Sequence, residues 1–200
     1  VISDAVRKIV RVMVDGRPRW GLLDREAIVE LPEGPFGDHP VIGGRLGTRD
    51  EALLLAPTVP TKIIGVGRNF VEHAAEHGVE VPSQPLVFTK PPSSVLAPGG
   101  VIELPRLSDK VEYEGEMAVV MGRRCRNVRE DEAWRYVLGV TCGNDVTARD
   151  IQRSDSQWTR GKGFDTFAPL GPWIVAGLSE AEAGDLEVVT RVNGATRQRG

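Results

Sequence analysis

Val111-Glu112-Tyr113-Glu114-Gly115-Glu116-Met117-Ala118-Val119-Val120-Met121 is the strongest strand signal in this chain of 200 residues. Alternating carboxylates lead into an unbroken apolar run, so the segment reads as a strand that enters the interior. Side chains two apart on a strand share a face, which groups Glu112, Glu114 and Glu116. Like charges on one buried face repel unless a proton or a cation neutralises them. Gly115 leaves room on the opposite face. Oxygen-only ligands suit a hard ion such as Mg2+ or Mn2+ rather than zinc. A solvated acidic strand is the competing reading.

Outward from this strand, residues 138–142 form a second apolar strand that leads to Asp145. A carboxylate at a strand end can complete a site that a neighbouring strand begins; capping a helix that starts at Val146 or Thr147 is its alternative role. Upstream, residues 62–66 form a short strand, residues 70–77 are helix-compatible up to Gly78, and residues 86–88 form a strand closed by Lys90-Pro91-Pro92. Downstream, residues 130–137 read as a short helix, and 173–176 and 186–192 as strands. Asn193-Gly194 then turns a hairpin into residues 196–199. At the N-terminus, residues 6–14, 19–23 and 27–31 read as a β-meander. A Gly- and Pro-rich stretch over 32–47 and a short apolar piece over 52–56 follow it. Pro57-Thr58-Val59-Pro60 is a stiff joint, which divides a small N-terminal β domain (1–58) from a catalytic domain (59–200). Strands outnumber the short helices, so the class is α+β and not a doubly wound sheet. The chain stops at Gly200, just after a hairpin's second strand begins, so a C-terminal part of the domain is expected to be missing.

Composition narrows the function. With 40% hydrophobic and 26% charged residues the chain is globular, and a net charge of −3 with scattered basic residues gives no nucleic-acid footprint. No apolar run is long enough for a membrane helix, and no signal segment opens the chain. Cys125 and Cys142 match no metal or redox spacing and read as buried free thiols in a reducing cytoplasm. A cytoplasmic protein whose partners are small molecules or its own copies is the expectation.

His73-Ala74-Ala75-Glu76-His77 carries two competing chemistries. On a helix the three polar residues share a face. His-x-x-Glu-His matches the inverzincin pattern of a zinc hydrolase, but no later helix offers a third ligand. His73 with Glu76 also works as a dyad in which the carboxylate orients an imidazole base. Gly65-Val66-Gly67 lacks the rest of a dinucleotide site, and Gly161-Lys162-Gly163 lacks a phosphate-loop pattern. Lys162, between two glycines, can still reach a ligand oxyanion; plain surface exposure is its alternative.

Glu114-Gly115-Glu116 with its apolar strand and Gly122, the run Asn144-Asp145-Val146-Thr147-Ala148-Arg149-Asp150, and Gly67-Arg68-Asn69-Phe70 with His73 together resemble the fumarylacetoacetate hydrolase family. The resemblance covers residues 62–200. It implies a mixed β-roll or sandwich catalytic domain with short helices, assembled as a homodimer. It implies Mg2+ or Mn2+, with Ca2+ as an alternative, held by Glu114, Glu116 and Asp145, and it removes Glu112 from the ligand set. It places His73 and Glu76 as a catalytic dyad, Lys162 at the substrate enolate, and Arg149 and Gln152 on the substrate. Val66 stands where the namesake enzyme has a fourth carboxylate, which points to the smaller bacterial-type members.

The implied substrates are 2-oxo and 1,3-dicarbonyl acids, with the ion acting as a Lewis acid and Lys162 adding positive charge at the same oxygen. Water activated by His73 and Glu76 gives C–C hydrolysis of an acylpyruvate, the outcome that retention of the dyad favours. Without that water the same site supports isomerisation of 2-hydroxyhepta-2,4-diene-1,7-dioate or decarboxylation of an oxaloacetate-like acid. A non-catalytic binding protein on the same fold is the remaining alternative.

Overall fold

The computed structural model describes residues 6–37, 40–67 and 84–200. β1 (Arg7–Val14), β2 (Arg17–Asp24), β3 (Ala27–Glu30) and β4 (Arg45–Thr48) form an antiparallel meander. Asp15 and Gly16 both take positive φ in the first turn, as a tight two-residue hairpin requires. β4 lies in a stretch expected to be irregular. Gly47, at φ 139°, sits where the β3–β4 ladder shifts register, so a residue that reads as a breaker serves a bulge.

β5 (Leu53–Leu54) pairs with β1, and β6 (Ile63–Gly67) with β7 (Leu86–Lys90) forms a separate two-stranded ribbon. Then follow a 3-10 turn (Pro92–Ser94), β8 (Val95–Leu96), β9 (Val111–Glu112), β10 (Gly115–Met121), a 3-10 helix (Glu130–Tyr136) and β11 (Val137–Asn144). The rest of the chain is β12 (Thr147–Ala148), α1 (Arg149–Ser154), α2 (Thr159–Lys162), β13 (Ala168–Ala176), α3 (Glu180–Gly184), β14 (Val189–Val192) and β15 (Ala195–Arg199). The main sheet runs β10-β11-β13-β1-β2-β3-β4. Because β1 pairs with β13, the segments on either side of the proline joint share one sheet. The architecture is α+β with a β-rich catalytic core.

β1 explains the sheet's cohesion. Ile9 packs with Leu31, Val120 and Ile174 on one face, and Val10 and Val12 with Leu23 and Ile28 on the other. A strand buried on both faces does not alternate apolar with polar residues, and in β1 only Arg11 interrupts the apolar run from Ile9 to Val14. A third cluster of Val146, Ala148, Ile151 and Phe167 supports the residues that follow Asp145.

Two strands differ from expectation. Residues 111–121 are not one strand: β9 joins β12 and β10 joins β11, with Tyr113 and Glu114 between them. β10 is also an edge strand of its sheet. Its inward face carries Glu116, Ala118 and buried Val120, while Met117, Val119 and Met121 are exposed, so the apolar run does not enter the interior whole. β13 begins at Ala168, well before the expected Trp173. Pro169, Gly171 and Pro172 read as turn residues, yet the β11–β13 ladder shifts register between Val140 and Cys142, opposite this stretch, and irregular ladders tolerate proline.

Candidate active site

The strand break delivers the first ligand candidate. Glu114 donates its backbone N–H to Asn144 Oδ1 at 3.0 Å and accepts from the Asp145 N–H at 2.8 Å. Its main chain is thereby fixed against the end of β11. A Cβ on Gly115 would lie 1.9 Å from Thr190 Oγ1, so the β14–β15 hairpin fills the space opposite the glutamates. The Gln198 amide clamps this glycine, accepting from its N–H at 2.9 Å and donating to its carbonyl at 3.0 Å.

Lys162 stands at the centre and is only 2% exposed. Its ammonium donates to Asp145 Oδ2, to both Glu114 oxygens at 3.2 Å and to Thr147 Oγ1 at 2.9 Å. Its Nζ also lies 4.7 Å from the centroid of the Phe88 ring, a cation–π contact. The flanking glycines serve packing rather than reach. A Cβ on Gly161 would meet the Gln152 N at 2.8 Å, and one on Gly163 would meet the Thr159 carbonyl at 2.5 Å and Pro91 Cδ at 2.7 Å.

Lys90, from the end of β7, is 4% exposed. It donates to Asp145 Oδ1 and, at 3.1 Å, to the Val146 carbonyl. Burial pushes its ammonium pKa down, against the pull of Asp145. Arg149, at the start of α1, contacts Glu114 Oε1 at 2.6 Å, Glu112 Oε2 at 2.7 Å and Gln152 Oε1 at 3.0 Å. This guanidinium holds the Glu112 carboxyl below the usual range. The fully buried Thr147 hydroxyl lies 3.1 Å from Glu114 Oε1 and 2.8 Å from the Asp145 carbonyl, and its one proton serves one of them at a time.

Glu116 is different. It is half-buried, and its carboxylate, unlike its backbone in the β10–β11 ladder, has no hydrogen-bond partner among the described residues. Burial and the nearby Glu114 and Asp145 carboxylates push its pKa up to about 7, against the pull of Lys162. An unpartnered carboxylate crowded by two others matches the donor chemistry of a hard divalent cation. Among the described residues no three His, Cys, Asp or Glu side chains are arranged to hold a metal ion; Glu114 and Asp145 are ion-paired with Lys90, Lys162 and Arg149. The donor chemistry of three neighbouring carboxylates suits such an ion, and Glu116 is the one of them without a cationic partner.

The structure thus brings Glu114, Glu116, Asp145, Arg149, Gln152 and Lys162 together. Glu112 lies on the far side of Arg149, and Asp145 caps no helix: α1 starts at Arg149 after Ala148. His73, Glu76 and His77 fall outside the described residues. Lys90 and Thr147 were missed. In the sequence Lys90 only closes a strand before a proline pair, and its tertiary position makes it a buried ammonium. Thr147, two residues beyond Asp145, was legible in spacing but carries no charge to draw attention. Both cysteines are free, but they are exposed rather than buried.

Residues 62–200 match the fumarylacetoacetate (FAA) hydrolase C-terminal family, and residues 7–57 match the Rv2993c-like N-terminal family. Among curated relatives, Protein Rv2993c of Mycobacterium tuberculosis is 46% identical over 84% of this chain and 63% of its own length. The human mitochondrial oxaloacetate tautomerase FAHD2A is 43% identical over 76% of the chain and 49% of its own length. The chain therefore spans less than two thirds of these relatives. The crystal structure of 2-hydroxyhepta-2,4-diene-1,7-dioate isomerase from Mycobacterium marinum superposes with a TM-score of 0.85 at 38% identity, covering 96% of this chain and 74% of that one. No described helix is long and apolar enough to cross a membrane.

Proposed function

From the chain's membership of the fumarylacetoacetate hydrolase family, we propose that it is an isomerase that moves a proton within the enol or dienol form of a 2-oxo dicarboxylic acid. The observation that carries the reading is the buried Lys162 ammonium, wedged between Glu114, Asp145 and Thr147 with Glu116 unpartnered beside them. Glu114, Glu116 and Asp145 would hold Mg2+ or Mn2+, which supplies Lewis-acid withdrawal of charge from a substrate oxygen.

The chain's own residues account for the rest. Enol–keto isomerisation raises negative charge on one oxygen and then places a proton on carbon. A fixed cation in a water-poor site stabilises that charge without reorganising, and Lys162 is such a cation. Arg149 orients Glu114 and Gln152 through one guanidinium nitrogen, Nη1. Hydrolysis needs a base to activate water, and its candidates, His73 and Glu76, lie outside the described residues. Two relatives bear isomerase or tautomerase names, which favours isomerisation over the acylpyruvate cleavage expected from sequence. A homodimer in the cytoplasm completes the proposal.

Product analysis separates the branches. The protein, with Mg2+ or Mn2+, is given 2-hydroxyhepta-2,4-diene-1,7-dioate, enol-oxaloacetate and an acylpyruvate. Conversion of either of the first two to an isomer of unchanged mass is the expected result. Release of pyruvate from the acylpyruvate, with no isomer formed from the others, would replace isomerase by hydrolase.

A further inference from the structure

Asp145 is gripped by two lysines that approach it differently. Lys162 takes Oδ2 and shares its other protons between Glu114 and Thr147. Lys90 takes Oδ1 and, with another proton, the carbonyl of the next residue, Val146. It therefore locks both the carboxylate of Asp145 and the peptide that follows it. The two ammoniums thus hold different oxygens of one carboxylate.

Its backbone is held just as firmly. Pro91 packs on Gly163, the residue after Lys162, closely enough that a Cβ there would clash. The Pro91 carbonyl accepts both the N–H and the hydroxyl of fully buried Ser94, at 3.0 and 2.7 Å. Lys90 also pairs with Ile63 in the β6–β7 ribbon, which is not hydrogen-bonded into the main sheet. The Lys90 ammonium is the ribbon's charged tie to the site.

We propose that Lys90 is a positioning residue that fixes the Asp145 carboxylate through Oδ1 and the Val146 carbonyl, so that the carboxylate edge now held by Lys162 is set in place for a divalent cation shared with Glu114 and Glu116. This rests on the proposed cation-binding role of those carboxylates. Outer partners that orient a ligating carboxylate typically govern metal affinity by about 10–100-fold.

Mn2+ binding, followed by the loss of the free-ion electron paramagnetic resonance signal, tests it without reference to turnover. Lys90→Met weakens Mn2+ binding about 10–100-fold, and Lys90→Arg, which keeps charge and donors, restores much of it. In an Asp145→Asn background Lys90→Met has little further effect, because the group it positions is already changed. If the wild type binds no Mn2+, the cation site itself is refuted and the anchoring role falls with it. If the wild type binds and Lys90→Met binds as well or better, only the role of Lys90 is overturned. Additive losses in the double variant, or loss of the folded state in Lys90→Met, Lys90→Gln and Lys90→Arg alike, would mark it as a general structural residue and also overturn the assignment.

Discussion

Replacing Glu116 by glutamine stabilises the metal-free protein at neutral pH and removes a pH dependence that the wild type shows. In the fold, burial and the Glu114 and Asp145 carboxylates raise the Glu116 pKa from its ordinary 4.5 to about 7. Between these values the folded chain holds a proton that the unfolded chain has released. Stability attributable to this group therefore falls as pH rises through the window and is lowest above it. The gap between the two values sets a ceiling of about 3 kcal/mol. Partial solvent access at Glu116 reduces this to about 1–3 kcal/mol. For a chain of this size, that is a Tm difference of about 3–8 °C. Thermal unfolding of wild type and Glu116→Gln in metal-free buffer, from pH 4 to pH 8, measures it. The two curves meet near pH 4, where both side chains are neutral, and separate by pH 8 with the variant higher. Saturating Mg2+ reverses the order, because a ligand at about 100 times its Kd adds about 2.7 kcal/mol to a protein that retains the site. Parallel curves across the whole range would refute the crowding of Glu116 by its neighbours.

Other substitutions report on single contacts. Lys162→Met lowers kcat by about 10²–10³-fold, as loss of a fixed oxyanion-stabilising donor does, with a smaller change in KM; steady-state kinetics on the enol substrate show it. Thr147→Val keeps the shape but withdraws the hydroxyl that accepts from Lys162. It costs about 1–3 kcal/mol in denaturant unfolding. Gly163→Ala drives a methyl group into Pro91 and the Thr159 carbonyl and destabilises by about 1–3 kcal/mol. Gly184→Ala, with open space around its Cβ, changes little in the same experiment.

The β-branched run of β1, the Asp15-Gly16 turn and the acidic start of β10 were legible because each follows from local pattern. What local pattern hid was partnership. Carboxylates two apart suggested one strand face, but Glu114 sits in a break between two strand pairs and reaches the centre because β12 folds back on β9. Lys162 between glycines looked like a flexible arm, whereas the glycines let α2 pack against Gln152 and Pro91. Lys90 was invisible as a site residue, since a lysine before two prolines has no periodicity to declare it buried. β4 and the first half of β13 were hidden by glycines and prolines that serve ladder irregularities. The carboxylates themselves stood out, because acidic residues leading into an apolar strand conflict with burial unless a counter-charge is supplied.

The most direct measurement is the rate at which the enol of a 2-oxo dicarboxylate becomes its keto form, followed by ultraviolet absorbance with Mg2+ present, for the wild type, Glu116→Gln and a chelator-treated control. The expected result is acceleration by the wild type alone, with no pyruvate formed. Ketonisation by the wild type no faster than in Mg2+ buffer, or equal rates for wild type and Glu116→Gln, would contradict an isomerase working at Glu114, Glu116, Asp145 and Lys162.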